Sequence, residues 1–401
     1  MHIPMSSPDL THAEIEAVNE VVRTSHLSIG PRLTAFEEAF AAYVGTRHAA
    51  GVNSGTSGLH LCVIAAGVAA GDMVITTPFS FIASANCILY ERAVPVFVDV
   101  DPLTGNIDPA LVAAAAADLA DGAYTSAAGQ WLPPALRDGR QAVPSGRLKG
   151  LLPVHAFGQP ADMDPLLAVA RAYNLGVIED ACEAIGAEYK GRSAGTLSDA
   201  AVFAFYPNKQ MTTGEGGMIL TNHTDWDMLF RSMRNQGRDV FNAWLNHTRL
   251  GYNYRLDEMS AAMGLVQIQR IEALLTKRAQ VADWYNERLA EIDLIERPHI
   301  APSTTRMSWF VYVVRVRPSA SRDDLMQRLA EVGIPSRPYF TPIHLQPFYR
   351  DMFGYQPGDF PVTERLGAVS LALPFSGVMT EAQVDYVCEH LQAAILETSA
   401  A

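Results

Sequence analysis

Between residues 48 and 220 short, continuous apolar runs alternate with helical segments, and this restricts the fold more than anything else in the sequence. The runs are 48–52, 73–76 (MVIT), 94–98 (VPVFV), 150–154 (GLLPV), 176–179 (GVIE), 201–205 (AVFAF) and 217–220 (GMIL). They are unbroken by polar residues, as expected of strands buried on both faces. Helical patterns lie between them at about 57–69, 80–91, 163–174 and 224–233. Such alternation predicts an α/β fold, a mostly parallel mixed sheet between helices. Two helices precede it, at 10–23 and 33–44; in the second, Leu33, Phe36, Phe40 and Tyr43 recur at helical spacing.

After about residue 250 the pattern changes. Residues 256–291 read as one long helix, followed by a strand at 309–316 (WFVYVVRV) and helices at 322–332 and 380–396. The expectation is a large α/β domain over 1–250 and a smaller C-terminal α+β domain over 251–401. Residues 119–147 are rich in Gly, Pro and Ser without clear periodicity, which predicts a surface insertion between two strands.

Composition narrows the function. A formal net charge of −13 over 401 residues argues against nucleic acid as a partner, although local N–H groups or arginines can still bind small phosphorylated ligands. Cys62, Cys87, Cys182 and Cys388 are scattered through apolar stretches with no C-x-x-C pair, so buried free thiols are expected, with no metal set or disulfide. The N-terminus has no basic region leading into an apolar run, and no stretch reaches the roughly 18 apolar residues of a membrane span, so the expected location is cytoplasmic. Of the 30 basic residues only Lys149, Lys190, Lys209 and Lys277 are lysines, so lysine chemistry has four candidates.

Four segments suggest a site. Asn53-Ser54-Gly55-Thr56-Ser57-Gly58 lies between a strand and a helix, where free N–H groups beside small hydroxyls suit a phosphate. It is neither a Walker A motif nor G-x-G-x-x-G, and alone it reads equally well as a helix cap. Acidic residues of Val177-Ile178-Glu179-Asp180-Ala181-Cys182-Glu183 fall at the C-terminal end of a strand, the edge where α/β sheets bind ligands. A carboxylate there can hold a proton on a heteroaromatic nitrogen or simply cap the next helix. Lys209 sits in a loop between two strands, where a partly desolvated amine can form a Schiff base with a carbonyl; an ordinary surface lysine is the alternative. Phe81, after MVITT, can stack on a flat ring or pack into the core. A phosphate, a ring nitrogen, a flat face and an aldehyde together describe pyridoxal 5′-phosphate.

With these motifs the sequence resembles the DegT/DnrJ/StrS family of PLP-dependent sugar aminotransferases, of aspartate aminotransferase fold type I. The resemblance rests on LSIGP (27–31), NSGTSGLHL (53–61), PFSFIASANCIL (78–89), PVFVDVDPLTGNID (95–108), PVHAFGQPADMD (153–164), IEDACEAIGAEYKGR (178–192), FAFYPNKQMTTGEGGMI (203–219), RNQGRD (234–239), GYNYRLDEMSAAMGLVQ (251–267) and RPYFTPIHLQPFY (337–349). It implies that Lys209 carries the cofactor as a Schiff base and then acts as general base. It implies that Asp180 pairs with the pyridine nitrogen, Glu183 lies by the ring hydroxyl, Gly55, Thr56 and Ser57 hold the phosphate, and Phe81 stacks on the ring. Asn253 would reach the cofactor phosphate of a neighbouring subunit, giving a homodimer. The implied reaction is ping-pong transfer of an amino group from L-glutamate to a keto group of a nucleotide-linked sugar. Arg255 and Arg337 are candidates for the diphosphate, with Ser28 and His344 as further substrate-binding candidates. The chain departs from many relatives in having Ala204 where they have serine and Glu183 where they have glutamine.

Other readings are a keto-cyclitol or another antibiotic-pathway ketone as acceptor, a PLP-dependent sugar dehydratase, a non-catalytic regulator on the same fold, and a nicotinamide-binding protein. Dehydratase relatives carry histidine at the lysine position, so Lys209 argues against that chemistry. Lys209, Asp180 and the Gly-Thr-Ser turn together argue against a regulator, and the nicotinamide glycine fingerprint is absent.

Overall fold

The computed structural model of the protein describes residues 2–120, 126–141, 146–238, 246–317 and 319–399. Among these residues a seven-stranded sheet runs in the order His48–Val52, Gly217–Thr221, Ala200–Ala204, Gly176–Asp180, Leu148–Leu151, Met73–Thr76, Val94–Phe97. Gly217–Thr221 is antiparallel to both its neighbours; the remaining pairs are parallel. The central strands are buried along nearly their whole length, which explains their continuous apolar character. One face packs against helix Pro31–Val44 and the segment 256–275 through Phe36, Phe40, Phe203, Phe205, Leu256 and Leu274.

A second, antiparallel sheet has the order Ile295–Glu296, Tyr312–Val316, Ser370–Leu373, Arg337–Pro338. Its core unites Tyr285, Tyr312, Leu325, Leu371 and Leu391, and it includes Ile3 from the other end of the chain. The Phe375 N–H also donates to the Met5 carbonyl, so the N-terminal segment is tied to this sheet.

The expected long helix over 256–291 is two helices, Glu258–Gln269 and Ile271–Arg288. The break falls at Arg270, whose backbone leaves helical geometry (φ −102°, ψ 2°) while its guanidinium pairs with Asp9 and Glu14. Helix Pro109–Leu119 has no counterpart in the sequence reading. Its alanine run carries no polar–apolar contrast, yet Asp108 caps it, accepting from the N–H groups of Ala110 and Leu111. The expected surface insertion is also corrected. Residues 126–129 and 134–137 are short helices, and Ala128, Leu132 and Leu136 join the core beneath the sheet's parallel edge. Residues 121–125 and 142–145 of that segment, and Asp239 of RNQGRD, lie outside the described residues.

Two distant motifs meet where they set the sheet's other edge. The Glu258 carboxylate accepts the N–H groups of Gly30, Arg32 and Leu33, capping helix Pro31–Val44 from across the sequence. A Cβ on Gly30 would lie 2.7 Å from Glu258 Oε2, so a larger residue there must displace the capping carboxylate.

Candidate active site

The C-terminal ends of strands Gly176–Asp180 and Ala200–Ala204 lie side by side, with Asp180 in register with Val202. The N-terminus of helix Gly55–Ala65 presses onto this edge. A Cβ on Gly55 would stand 2.8 Å from Cys182 Sγ and 2.9 Å from Ala204 Cβ. Ser54 caps the helix by accepting the Ser57 N–H, and Ser57 Oγ donates to Asn53 Oδ1 at 2.7 Å. The N–H groups of Gly55 and Thr56 belong to the first turn, which has no intrahelical acceptors. Ala204, the departure from serine noted in the sequence, therefore lies where the helix start packs tightly against the strand end.

Asp180 is buried and held on both oxygens. Ser84 Oγ donates to Oδ2 at 2.6 Å and the Cys182 N–H to Oδ1 at 3.2 Å. Ser84 Oγ, its one proton given to Asp180, also lies 3.2 Å from the carbonyl of Phe81, whose side chain is 64% exposed at this edge. An aromatic ring left in solvent beside a buried carboxylate is available to stack on a flat ligand.

Lys209 follows the Ala200–Ala204 strand. Its Nζ is 3.4 Å from Glu183 Oε1 and 3.9 Å from the centre of the Phe310 ring. Glu183 Oε2 accepts the N–H of Phe157 at 2.9 Å. Phe157 has a left-handed backbone (φ 60°, ψ 11°), a conformation that costs a non-glycine residue of order 1–3 kcal/mol and concentrates at functional sites. Burial pushes the Glu183 carboxyl above its ordinary pKa, against the opposing pull of Lys209 and the Phe157 N–H. Beside it, burial and the Glu183 charge raise the Tyr339 hydroxyl to about 12, with Arg337 acting in the other direction.

Asn253 is exposed next to the Gly-Thr-Ser turn, its carbonyl accepting from Asn53 Nδ2 at 3.5 Å while the Tyr254 carbonyl accepts the Asn53 N–H. Arg255 bridges to Val52 through its backbone and donates to Asn235 Oδ1. Ser28 is exposed and bridges to Asp257, and Arg337 is exposed with one guanidinium N–H on the Ser336 carbonyl. His344 is placed differently. It is wholly buried, 3.0 Å from Glu364, among the rings of Tyr355 and Phe360. Burial holds its imidazole pKa below the usual value.

Sequence reasoning passed over two residues that contact this group, Ser84 through Asp180 and Arg278 through the Lys209 carbonyl. Ser84 is one serine in an apolar helix and gives no isolated signal. Arg278 did give one, because it falls on the apolar stripe of its helix with Leu274, Leu275, Val281 and Tyr285.

The donors suit pyridoxal 5′-phosphate. A glycine-lined helix N-terminus, a buried carboxylate, an exposed ring and one lysine amine converge at a single sheet edge. Fold and site together define a PLP-dependent aminotransferase of fold type I. A family model described as the DegT/DnrJ/EryC1/StrS aminotransferase family matches residues 8–392, and the chain belongs to that family. It is 38% identical to the GDP-perosamine synthase of Caulobacter vibrioides, the match covering 98% of each chain. It is 33% identical to a Bacillus subtilis protein described as the putative pyridoxal phosphate-dependent aminotransferase EpsN, covering 97% of this chain and 95% of that one. The crystal structure of S. venezuelae DesV in complex with a ketimine intermediate superimposes with a TM-score of 0.84 at 31% identity, covering 98% of both chains. The protein is a PLP-dependent sugar aminotransferase. Among the described residues no helix is long and apolar enough to cross a membrane.

Proposed function

We propose that the chain transfers the amino group of L-glutamate to a keto sugar carried on a nucleoside diphosphate, with GDP the first nucleotide to test. The observation that carries this reading is the convergence of Lys209, Asp180 and the Gly55–Ser57 turn at one sheet edge. The name of the 38% identical GDP-perosamine synthase supports the choice of GDP.

When bound, the cofactor supplies an electrophilic aldehyde and a ring that accepts the negative charge left at an amino-acid Cα. The chain's residues then divide the work. The N–H groups of Gly55 and Thr56 and the hydroxyls of Thr56 and Ser57 bind the phosphate. Asp180, fixed by Ser84 and the Cys182 N–H, would keep a proton on the ring nitrogen. Phe81 would hold the ring by stacking, and Glu183 would be the partner of its hydroxyl. Lys209 would carry the cofactor and, as a free amine, its Nζ would take the proton from the donor's Cα. Arg255, Arg337 and Ser28 are assigned to the nucleotide-linked acceptor. His344 Nε2 is engaged by Glu364, so it reaches that acceptor only if the pair opens.

The site is completed in a homodimer, in which the exposed Asn253 side chain reaches the partner's cofactor phosphate. The large domain, to about residue 250, supplies most of the cofactor site, and residues 251–401 form the smaller α+β domain. Sedimentation of the loaded protein at twice the chain mass supports the dimer; an active monomer opposes it.

The test is spectroscopic. The purified, loaded protein should show a visible band that L-glutamate bleaches and a nucleotide-linked keto sugar restores, tried as a panel of 3-keto and 4-keto sugars. No band with added cofactor, or a borohydride-reduced adduct persisting in Lys209→Ala, contradicts the reading.

A further inference from the structure

Arg278 is 3% exposed, and no carboxylate among the described residues lies within 4.0 Å of its guanidinium. Its donors go to four backbone carbonyls in two distant segments. Nη2 donates to Asn208 at 3.2 Å and Lys209 at 2.7 Å; Nη1 donates to Trp309 at 3.3 Å and Phe310 at 3.1 Å. The Phe375 ring packs at 5.7 Å from the guanidinium carbon. A buried, unpaired cation is unfavourable, and folds retain one where its geometry is needed. Here both arms of a rigid fork end on residues that touch one amine. One arm fixes the backbone of Lys209; the other fixes Phe310, whose ring lies 3.9 Å from Lys209 Nζ.

We propose that Arg278 is a positioning residue, which sets where the Lys209 amine stands by clamping its backbone and the Phe310 ring into one unit. This rests on the reading of Lys209 as the cofactor-bearing residue. The groups around that amine are Glu183 at 3.4 Å, Asp180 and Cys182 on the same segment, and Tyr339 beside Glu183. None of them touches Arg278, so the clamp acts through geometry rather than by pairing with the site's acids. A lysine in place of Arg278 keeps a charge but lacks the planar fork and cannot span both segments.

The test compares Arg278→Lys, Arg278→Met and Phe310→Leu with wild type as loaded full chains. The readouts are the pH midpoint of the visible band of the lysine-bound cofactor, the rate at which apoprotein captures added pyridoxal 5′-phosphate, and kcat separately from KM. Circular dichroism reports folding. The expected result is a midpoint shifted by half a pH unit or more, capture slowed at least fivefold, and kcat lowered at least tenfold with KM for L-glutamate within threefold. Folded Arg278 variants with unchanged midpoint and capture rate overturn the assignment, as does loss confined to KM. If neither Arg278 variant folds, Phe310→Leu decides: a shifted midpoint supports the clamp and an unchanged one overturns it. A wild-type protein without the visible band contradicts the functional reading itself, and this assignment with it.

Discussion

At the scale of residues, the site depends on how each carboxyl is held. Asp180 has a hydrogen-bond donor on each oxygen, which fixes its orientation at the strand end. Asp180→Ala should lower kcat by about 10²–10³, the usual effect of removing one charge-stabilising group, with folding intact by circular dichroism. Ser84→Ala should cost about 1 kcal/mol of that positioning, a several-fold loss in kcat. Glu183 works in the opposite sense. Its folded pKa is raised by burial, so its stabilising contribution is present in acid and lost as pH rises from its ordinary value through the folded one. Glu183→Gln removes that loss. The Tm of the variant should therefore gain on wild type as pH increases, and a difference independent of pH contradicts the burial argument. The buried carboxyl resembles the glutamine of many relatives when it carries its proton, which gives this departure a physical meaning.

At the scale of elements, secondary structure was legible wherever apolar content alternated cleanly. The strands MVIT and GMIL lie close to where their sequence placed them, because continuous apolar runs have one stable arrangement in a covered sheet. The break at Arg270 was not legible, since it depends on Asp9 and Glu14, some 260 residues away in sequence. The Pro109–Leu119 helix and the packed part of the presumed insertion were missed for a related reason. Alanine- and proline-rich stretches show their burial only once a neighbour is in place. The Glu258 cap is another tertiary feature, joining LSIGP to GYNYRLDE. Glu258→Ala leaves three first-turn N–H groups without their acceptor, and should lower unfolding free energy by about 2–4 kcal/mol in a urea titration.

At the scale of the molecule, the sequence order of the motifs maps onto one sheet edge. The Gly-Thr-Ser turn, Phe81, the Asp180–Glu183 pair and Lys209 come from four separate stretches that the parallel crossovers deliver to the same side. This is why the cofactor was readable before the fold was known. The substrate side was less readable. Arg255, Arg337 and Ser28 stand on surfaces without a ligand-specific pattern, and His344 is buried against Glu364. Arg278 stood out as a charge on an apolar helix stripe, but its task was not readable, because its hydrogen bonds go to backbone carbonyls, which leave no pairing partner in the sequence.

Only four lysines are available in 401 residues, so the central claim has a direct measurement. The loaded protein is reduced with borohydride, digested, and its cofactor-tagged peptide read by mass spectrometry. The tag is predicted on the peptide carrying Lys209. A tag on Lys149, Lys190 or Lys277, or no tag on any lysine, contradicts the account.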